Sequence, residues 1–274
     1  MLIAHLTDSH IVEKDKFWLA HPLTKTEDRL AKAINHLNQL TPRPDIVIFT
    51  GDLTDEGTEA AYQHFQEILQ PLQIPLFVIP GNHDCRETMR HAFHKSSYIP
   101  KQGFLHYTIE DYPLRLIALD TLLEGEGKGG LCEERFQWLQ DALKQDNNKP
   151  TLLFMHHPPV KIGMSLFDSI RCFTPTSFEQ TLSRAQNLVG IVCGHYHHFC
   201  MSSLAGKPCF LAPSLAPVHY FAHPTDQDVT ALQLDEPAIT LHNWLEGTTL
   251  TSQIIRLKED YKRLDWTKLT KQAS

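Results

Sequence analysis

The sequence predicts a protein of the α/β class, in which strands and helices form layers around a shared core. Three observations support this prediction. Apolar strand segments alternate with helical patterns as far as residue 193, a run of β segments follows, and no internal repeat or low-complexity tract occurs. We expect a single domain over residues 1–274, in which residues 199–274 form the β-rich part of a second sheet and are candidates for a cap.

The elements of the first third follow from apolar runs and helical spacing. Apolar segments bounded by polar residues predict buried strands, and apolar residues three and four positions apart predict helices. Thr24-x-x-Glu27 has the pattern of a capping box and places the start of the first helix there. The predicted strands are Leu2–Thr7, Asp45–Thr50 and Pro75–Ile79, and the predicted helices run from Thr24 to Leu40 and from Thr58 to Leu69.

The middle of the chain continues this alternation, and the last quarter departs from it. Strands are predicted at Leu105–Ile109, Leu114–Leu119, Thr151–Met155 and Val189–Cys193, with helices at Glu133–Lys144 and Ser177–Gln186. The β segments that follow are Met201–Leu204, Cys209–Leu211, Val229–Leu234, Ala238–Trp244 and Ser252–Leu257, and a short polar helical tail closes the chain.

Composition narrows the class of function. The chain has 32 acidic and 25 basic residues, a net charge of −7 and no cluster of lysine and arginine, so we expect no nucleic-acid polymer as a partner. No stretch approaches the roughly 20 apolar residues of a membrane helix, and the N-terminus lacks the basic and apolar regions of a signal peptide. We therefore expect a cytoplasmic protein without membrane contact, whose six cysteines stay reduced.

Five short polar motifs stand just beyond predicted strands. Ligands bind at the carboxyl ends of the strands in open α/β sheets, so these motifs are expected to meet at one site. Each motif alone also fits a turn, a cap or a packed histidine, but their order and shared position favour a joint site. The motifs are Asp8-Ser-His10, Gly51-Asp52-Leu-Thr-Asp55, Gly81-Asn82-His83-Asp84, His156-His157 and Gly194-His195-Tyr196-His197.

The side chains in these motifs predict a metal site. Carboxylate or amide oxygens combined with imidazole nitrogens suit zinc, manganese, iron or cobalt, in divalent or trivalent form. Seven ligands are too many for one tetrahedral ion and suit two ions about 3.5–4 Å apart, with Asp52 as the natural bridge. The candidate ligands are Asp8, His10, Asp52, Asn82, His156, His195 and His197.

The ordered set D-x-H, GD, GNHD, H and GHxH resembles that of the calcineurin-like metallophosphoesterases, over Asp8–His197. The resemblance implies a four-layer α-β-β-α sandwich of two mixed sheets flanked by helices, with a binuclear metal centre at the sheet edge. It gives one ion to Asp8, His10, Asp52 and His197, and the other to Asp52, Asn82, His156 and His195.

Within that superfamily, the chain resembles the class III cyclic nucleotide phosphodiesterase and glycerophosphodiesterase group. Protein Ser/Thr phosphatases carry an arginine after their GD-x-x-D segment and end their later motif in glutamate. Here Glu56 and Asp84 stand at those positions. The signals shared with the group are Asp8-Ser-His10 close to the N-terminus, Met155-His-His-Pro-Pro159 and Leu119-Asp-Thr121.

Further assignments concern the residues that contact the substrate and the general acid that protonates the leaving group. His83, beside Asn82, either protonates the leaving group or only positions the phosphate, and we expect Asn82, His83 and His219 to contact substrate. Asp84 is expected to hold the His83 ring in one tautomer. His219 is a second candidate acid or an ordinary surface histidine. His157 and His198 are expected to point away from the metals, because side chains alternate along an extended strand.

The resemblance implies hydrolysis of small phosphodiesters, of the cyclic nucleotide or glycerophosphodiester type, by a metal-activated hydroxide. The alternatives are a phosphomonoesterase, a nuclease and a non-catalytic scaffold of the same fold. The acidic composition argues against a nuclease, and the complete ligand set argues against a scaffold. The β-rich C-terminal part also suggests a homo-oligomer.

Overall fold

The computed structural model describes residues 1–145, 148–220, 231–245 and 249–258. Its helices are α1 (Thr26–Gln39), α2 (Glu59–Leu69), α3 (Arg86–Ala92), α4 (Glu133–Gln145), α5 (Ser165–Ile170) and α6 (Phe178–Arg184), with a single 3-10 turn at Trp18–Ala20. Its strands are β1 (Leu2–Leu6), β2 (Ile46–Thr50), β3 (Leu76–Ile79), β4 (Tyr107–Ile109), β5 (Arg115–Leu119), β6 (Gly129–Gly130), β7 (Thr151–Met155), β8 (Cys172–Phe173), β9 (Leu188–Cys193), β10 (Cys200–Leu204), β11 (Lys207–Leu211), β12 (Val218–His219), β13 (Leu232–Gln233), β14 (Ala238–Leu245) and β15 (Thr249–Arg256).

The first sheet has the strand order β15-β14-β1-β2-β3. Strands β1, β2 and β3 are parallel, and β14 and β15 extend the sheet in antiparallel pairs. All five residues of β2 are buried, as its composition predicts for a central strand of a parallel sheet. The carboxyl ends of β1, β2 and β3 therefore meet at one edge.

The second sheet has the order β10-β11-β9-β7-β5-β4. Its four central strands are parallel, and β10 and β4 are antiparallel edges. Every residue of β5 and β7 is buried. Two small pairs, β12 with β13 and β6 with β8, lie outside the two main sheets.

Two apolar clusters order these elements into layers. One cluster joins helical residues such as Ile34 and Phe65 to the first sheet, and that sheet to Phe154 and Phe210 of the second. The other cluster joins the second sheet to α4 and α6, through residues such as Phe136. The arrangement is therefore helices, sheet, sheet, helices, and the predicted four-layer sandwich of two mixed sheets is confirmed.

The predicted capping box is wrong. Helix α1 begins at Thr26, and its N-cap, Lys25, has a left-handed backbone without a side-chain hydrogen bond to the helix. The Thr24 hydroxyl instead donates to the backbone oxygens of Trp18, at 3.1 Å, and His21, at 2.8 Å. The Thr24 side chain thus stabilises the preceding turn and does not cap the helix.

The expectation that the β-rich end belongs to the second sheet holds for β10 and β11 and is wrong for β14 and β15. The latter pair extends the first sheet, because β14 pairs with the free edge of β1 in the register Leu2↔Asn243. The structure describes the predicted segment Val229–Leu234 only from residue 231 onward. Within it, β13 begins at Leu232. The predicted helical tail lies outside the described residues.

Two short helices were not predicted. Helix α3 follows the GNHD motif directly, and α5 lies in the segment after the His156-His157 pair. Each is only six or seven residues long, too short for an apolar period to stand out. None of the described helices has the length and apolarity that crossing a bilayer requires.

Candidate metal centre

The seven candidate ligands lie on turns that leave the carboxyl ends of five strands. The chain places Asp8 and His10 after β1, Asp52 after β2, Asn82 after β3, His156 after β7, and His195 and His197 after β9. Five of them have a positive φ, namely Asp8 (52°), His10 (46°), Asp52 (49°), His195 (73°) and His197 (58°). A left-handed backbone costs a non-glycine residue on the order of 1–3 kcal/mol, and such strain concentrates at functional sites.

One group of candidate ligands surrounds His10 and His197. Their Nε2 atoms are 3.0 Å apart. Asp8 Oδ1 lies 3.5 Å from Nε2 of His197, and Asp52 Oδ2 lies 3.6 Å from Nε2 of His10. All four residues are buried. Two nitrogens and two carboxylate oxygens thus face one another.

A second group surrounds His156. Its Nε2 atom lies 3.1 Å from Asn82 Oδ1 and 3.3 Å from Asp52 Oδ2. The ring of His195 is 4.9 Å from that of His156, between centroids, so His195 belongs to the same group. Asp52 contributes to both groups, which is the position that the sequence predicted for a bridging carboxylate.

The remaining nitrogen of each candidate histidine has a protein acceptor. Nδ1 of His10 faces Asp55 Oδ1 at 2.9 Å, Nδ1 of His156 faces Thr50 O at 2.6 Å, Nδ1 of His197 faces Pro217 O at 3.1 Å, and Nε2 of His195 faces Ile170 O at 3.1 Å. Each acceptor fixes a tautomer, and such outer hydrogen bonds are typical of metal-binding histidines.

In these tautomers the inward-facing nitrogens of His10, His197 and His156 are hydrogen-bond acceptors, and each of them faces another acceptor. With Nδ1–H donated outward, the neutral rings of His10 and His197 each direct a lone pair from Nε2 toward the other, across 3.0 Å. The same holds where Nε2 of His156 meets the oxygens of Asn82 and Asp52. Such contacts are favourable only if a proton or a metal ion lies between them, so the residues present fit a site for cations.

Burial and charge shift the pKa values of the buried groups. Burial raises the pKa of Asp8 to about 6, against the opposing effect of nearby His156. Burial lowers the pKa of His156, but the carboxylates of Asp52 and Asp8 outweigh it and raise that pKa to about 9. Without metal, the centre therefore holds protons that a cation must displace.

His83 borders this centre from the outside. Its side chain is 40% exposed, and its ring lies edge-on to that of His10 at 4.7 Å. Its backbone N–H donates to Asp52 Oδ1 at 2.9 Å. Burial lowers the pKa of His83, but the charges of Asp52 and Asp55 outweigh it and raise the pKa to about 10. In the metal-free centre these carboxylates favour the protonated form of His83, at the open side of the centre.

The predicted pairing of His83 with Asp84 is wrong. Nδ1 of His83 donates to the backbone oxygen of Asp55, at 2.9 Å, and lies 3.2 Å from Asp55 Oδ1. The buried carboxylate of Asp84 instead accepts hydrogen bonds from within the turns, namely from the backbone N–H groups of Leu53, Thr54 and Gly81 and from the hydroxyls of Thr54 and Tyr62. Asp84 therefore holds two ligand-bearing turns together.

Three further histidines were singled out from the sequence, and the structure shows where each of them lies. His219, on β12, has its ring 6.5 Å from that of His197, so it lies beside the first group. His198 donates from Nε2 to the backbone oxygen of His219 at 2.8 Å, away from the candidate ligands. His157 does not point away, because its ring lies 4.5 Å from that of His195. The alternation of side chains ends with β7, one residue before the pair begins.

Two residues at the centre had no role assigned from the sequence, although Asp55 ends the second motif. Asp55 Oδ1 accepts from Nδ1 of His10 and from Nε1 of Trp18, at 2.9 and 2.8 Å, besides its contact with His83. Trp18 stacks on His10 with 4.9 Å between ring centroids. A carboxylate three residues after Asp52 was a visible signal for Asp55, whereas the loop around Trp18 carries no recognisable pattern.

Comparisons with known proteins identify a family and several relatives of this chain. Residues 1–199 match the model of the family described as calcineurin-like phosphoesterase. The chain is 35% identical, over 95% of its length and 96% of the relative's, to a protein of Arcobacter nitrofigilis named "Probable glycerophosphodiester phosphodiesterase GpdQ". It is 30% identical to the "Glycerophosphodiester phosphodiesterase GpdQ" of Enterobacter lignolyticus, over 88% of this chain and 86% of the relative.

A cyclic nucleotide enzyme and a solved structure are also similar. The "3',5'-cyclic adenosine monophosphate phosphodiesterase CpdA" of Escherichia coli is 26% identical, over 94% of this chain and 90% of that protein. The structure of purple acid phosphatase PPD1 from yellow lupin seeds superposes with a TM-score of 0.70 at 12% identity, over 94% of this chain and 51% of that one. At that identity, the superposition supports the fold alone.

Proposed function

The chain belongs to the calcineurin-like phosphoesterase family, and from this premise we propose that it hydrolyses small phosphodiesters at a two-metal centre. Metal-dependent phosphodiester hydrolysis is the activity that its relatives support, since those with high coverage are named glycerophosphodiester and cyclic nucleotide phosphodiesterases. The observation that carries the proposal is the pair of acceptor-lined groups that share the buried carboxylate of Asp52.

We infer that each group holds one ion. The first ion takes Asp8, His10, Asp52 and His197, and the second takes Asp52, Asn82, His156 and His195. Oxygen and nitrogen donors without sulfur favour iron, manganese, zinc or cobalt. Asp52 supports a shared position, because its carboxylate faces both His10, at 3.6 Å, and His156, at 3.3 Å.

When bound, the ions supply Lewis-acid activation of the phosphoryl oxygens and of a water molecule. The protein's part is to hold the ligands without reorganisation. The outward hydrogen bonds of the four histidines fix the ring orientations, and the buried Asp84 ties the turn after β2 to the turn after β3. The strained turns are thus held in place before substrate arrives.

His83 is the proposed substrate donor. Its exposed ring stands next to Asn82, and its Nδ1 is engaged by Asp55, which leaves Nε2 for the substrate. Protonated, Nε2 hydrogen-bonds a phosphoryl oxygen or donates its proton to the departing alkoxide. His219, whose ring lies 6.5 Å from that of His197, is the proposed second donor.

The test is a comparison of kcat/KM for bis(p-nitrophenyl) phosphate and p-nitrophenyl phosphate, with protein reconstituted with manganese. We expect the diester to be preferred by at least tenfold, and a cyclic nucleotide or a glycerophosphodiester to be hydrolysed as well. Preference for the monoester would assign the chain as a phosphomonoesterase. No hydrolysis of either, with metal bound, would assign it as a non-catalytic scaffold.

A further inference from the structure

In the loop between β1 and α1, Trp18 is the one buried residue of the segment 13–23, and it anchors that segment at the metal centre. Trp18 is 6% exposed, donates from Nε1 to Asp55 Oδ1 at 2.8 Å, and stacks on the ring of His10. It also packs with Val12 and Ala216 in a small apolar cluster. This anchoring fixes the position of the residues on either side of Trp18.

Those neighbours are apolar and face solvent. Phe17 is 52% exposed and Leu19 is 58% exposed. Leu19 and Ala20 both have positive φ values, 53° and 52°, which non-glycine residues adopt only at a cost. A strained turn that displays two large apolar side chains beside a functional site indicates a binding surface.

A cavity of about 460 Å³ opens beside these side chains. Its lining includes Val12, Lys16, Phe17, Leu19, Asp55 and Glu56. Asp55 lines this cavity and also contacts His10 and His83, so the cavity adjoins the metal centre at the proposed substrate donor. Substrate bound at His83 can therefore extend into it.

The charges around the cavity limit what it can take. Asp55 and Glu56 contribute carboxylates, and the Lys16 ammonium is paired with Glu13 at 2.8 Å. An anionic group would therefore meet more negative than unpaired positive charge. The apolar surface of Phe17 and Leu19 gains by burial against an apolar partner, which a glycerol group does not provide.

We propose that Phe17 and Leu19 form a subsite for one organic arm of the phosphodiester, and that they select a neutral arm with a flat apolar face, such as an aryl group or a nucleobase, over glycerol. This subsite rests on the proposed function, because the metal centre must hold the phosphoryl group while the arm enters the cavity.

Binding of two phosphate monoesters, the less favoured class of substrate, to the manganese-loaded protein tests the subsite. Phenyl phosphate and glycerol 3-phosphate are titrated by calorimetry into the wild type, Phe17→Ser, Leu19→Asn and Phe17→Tyr. Asparagine tolerates the left-handed backbone at position 19, and tyrosine keeps the aromatic face at position 17. Met201→Ser, which removes a 70%-exposed apolar side chain on β10, is the matched control.

We expect Phe17→Ser to weaken phenyl phosphate binding by about tenfold and Leu19→Asn by severalfold, as partial burial of such side chains implies. Glycerol 3-phosphate binding should change less than twofold, and Phe17→Tyr and Met201→Ser should bind both probes like the wild type. Equal losses for both probes, or no loss, would overturn the proposal. So would a third probe, phosphocholine, showing the larger loss, because that would indicate a cationic arm.

Failure of the subsite and failure of the proposed function are distinguishable. If the wild type hydrolyses no phosphodiester but binds phenyl phosphate in a Phe17-dependent way, the subsite stands and the catalytic proposal falls. If it hydrolyses diesters while the variants bind both probes like the wild type, the catalytic proposal stands and the subsite falls.

Discussion

At the scale of single residues, the centre depends on which nitrogen of each histidine is left free. The two Nε2 atoms of His10 and His197 approach to 3.0 Å because their Nδ1 atoms face Asp55 and Pro217. Imidazole would otherwise distribute its proton between the two nitrogens. The acceptor beside each ring is therefore as necessary to the site as the ring itself.

Asp55 offers a direct test of this dependence. We expect Asp55→Asn to weaken metal binding by about 10- to 100-fold, as is usual when an outer partner of a metal-binding histidine is lost. Burial would raise the pKa of Asp55, but hydrogen bonds from His10 and His83 hold it below its usual range, so the residue acts as a carboxylate. Metal affinity is measured by competition with a chromophoric chelator.

The neighbouring substitution Glu56→Gln is the control, because Glu56 is exposed and lies next to Asp55 in the chain. It removes the same charge from almost the same place without touching His10. Equal loss of metal affinity in both variants would mean that net charge, and not the hydrogen bond to His10, holds the metals.

The sequence predicted which side chains lie together at the strand ends better than it predicted their hydrogen-bond partners. Candidate ligands such as Asp8, Asp52 and His195 were found because their motifs follow strands in a fixed order. The partner of His83 was misjudged because the nearest carboxylate in the chain, Asp84, is not the nearest in space. Backbone acceptors such as Pro217 O are invisible in a sequence, since every residue carries one.

At the scale of elements, the turns after the strands pack closely enough to require glycine. A Cβ atom added at Gly194 would lie 2.7 Å from Asp8 Oδ2 and would also overlap the Thr7 hydroxyl. One added at Gly51 would lie 2.6 Å from Nδ1 of His156. The glycines of these two motifs therefore let the two sheets bring their ligands together.

Replacing Gly194 by alanine should separate β1 from β9 at the site. We expect Gly194→Ala to lower the free energy of unfolding by about 1–3 kcal/mol, the usual cost of overpacking, and to reduce metal content. Urea unfolding and elemental analysis measure the two effects. Gly127→Ala is the control, because its Cβ would meet only Ile170, at 3.9 Å. A Gly194→Ala protein with normal metal content would contradict the close approach.

The bounds of a helix or strand were predictable where the local composition of the chain determines them. The strands at Thr151–Met155 and Asp45–Thr50 were predicted to within a residue, since both are buried apolar runs. The start of α1 was not, because Thr24 bonds to the loop around Trp18, a contact that local patterns do not encode. The expectation of a single domain stays a prediction.

At the scale of the whole molecule, a polar strip runs through the sandwich next to the centre. His242 on β14 and His5 on β1 are buried, with His242 Nε2 3.1 Å from Nδ1 of His5. His5 Nε2 in turn faces the Thr50 hydroxyl at 2.8 Å, and the backbone oxygen of Thr50 accepts from His156. The pairing of β14 with β1 could not be foreseen, because it joins the two ends of the chain.

This strip should make the protein sensitive to acid. Burial lowers the pKa of His242 to about 3 and that of His5 well below its usual value. At these two histidines the unfolded chain therefore binds more protons than the folded chain between about pH 6.5 and pH 3, so their contribution to stability is lost as pH falls through that window. Each such histidine contributes about 1.4 kcal/mol per pH unit.

The variant His242→Gln should flatten this dependence by up to one proton. Glutamine keeps a hydrogen-bond partner for His5 and for Ser252, whose hydroxyl lies 2.7 Å from Nδ1 of His242. The free energy of unfolding of the metal-free protein is measured by urea denaturation from pH 7 to pH 4. The exposed His91→Gln serves as the control and should keep the wild-type slope. An unchanged slope in His242→Gln would mean that His242 is protonated in the folded protein.

The sequence also predicted a homo-oligomer and a cytoplasmic location, and both stay predictions. The fold was predictable because the motif order resembles a known family and that family implies the sandwich. The position of β14 and β15 in the first sheet was not, since a β segment near the end of the chain pairs equally well with any free edge.

The measurement that tests the two-metal diesterase most directly is a titration of metal-free protein with manganese, followed simultaneously by bound metal and by hydrolysis of bis(p-nitrophenyl) phosphate. We predict two ions bound per chain and a rate that rises with the second, because Asp52 joins two groups of ligands. Full activity with one ion per chain, or activity without metal, would contradict the account.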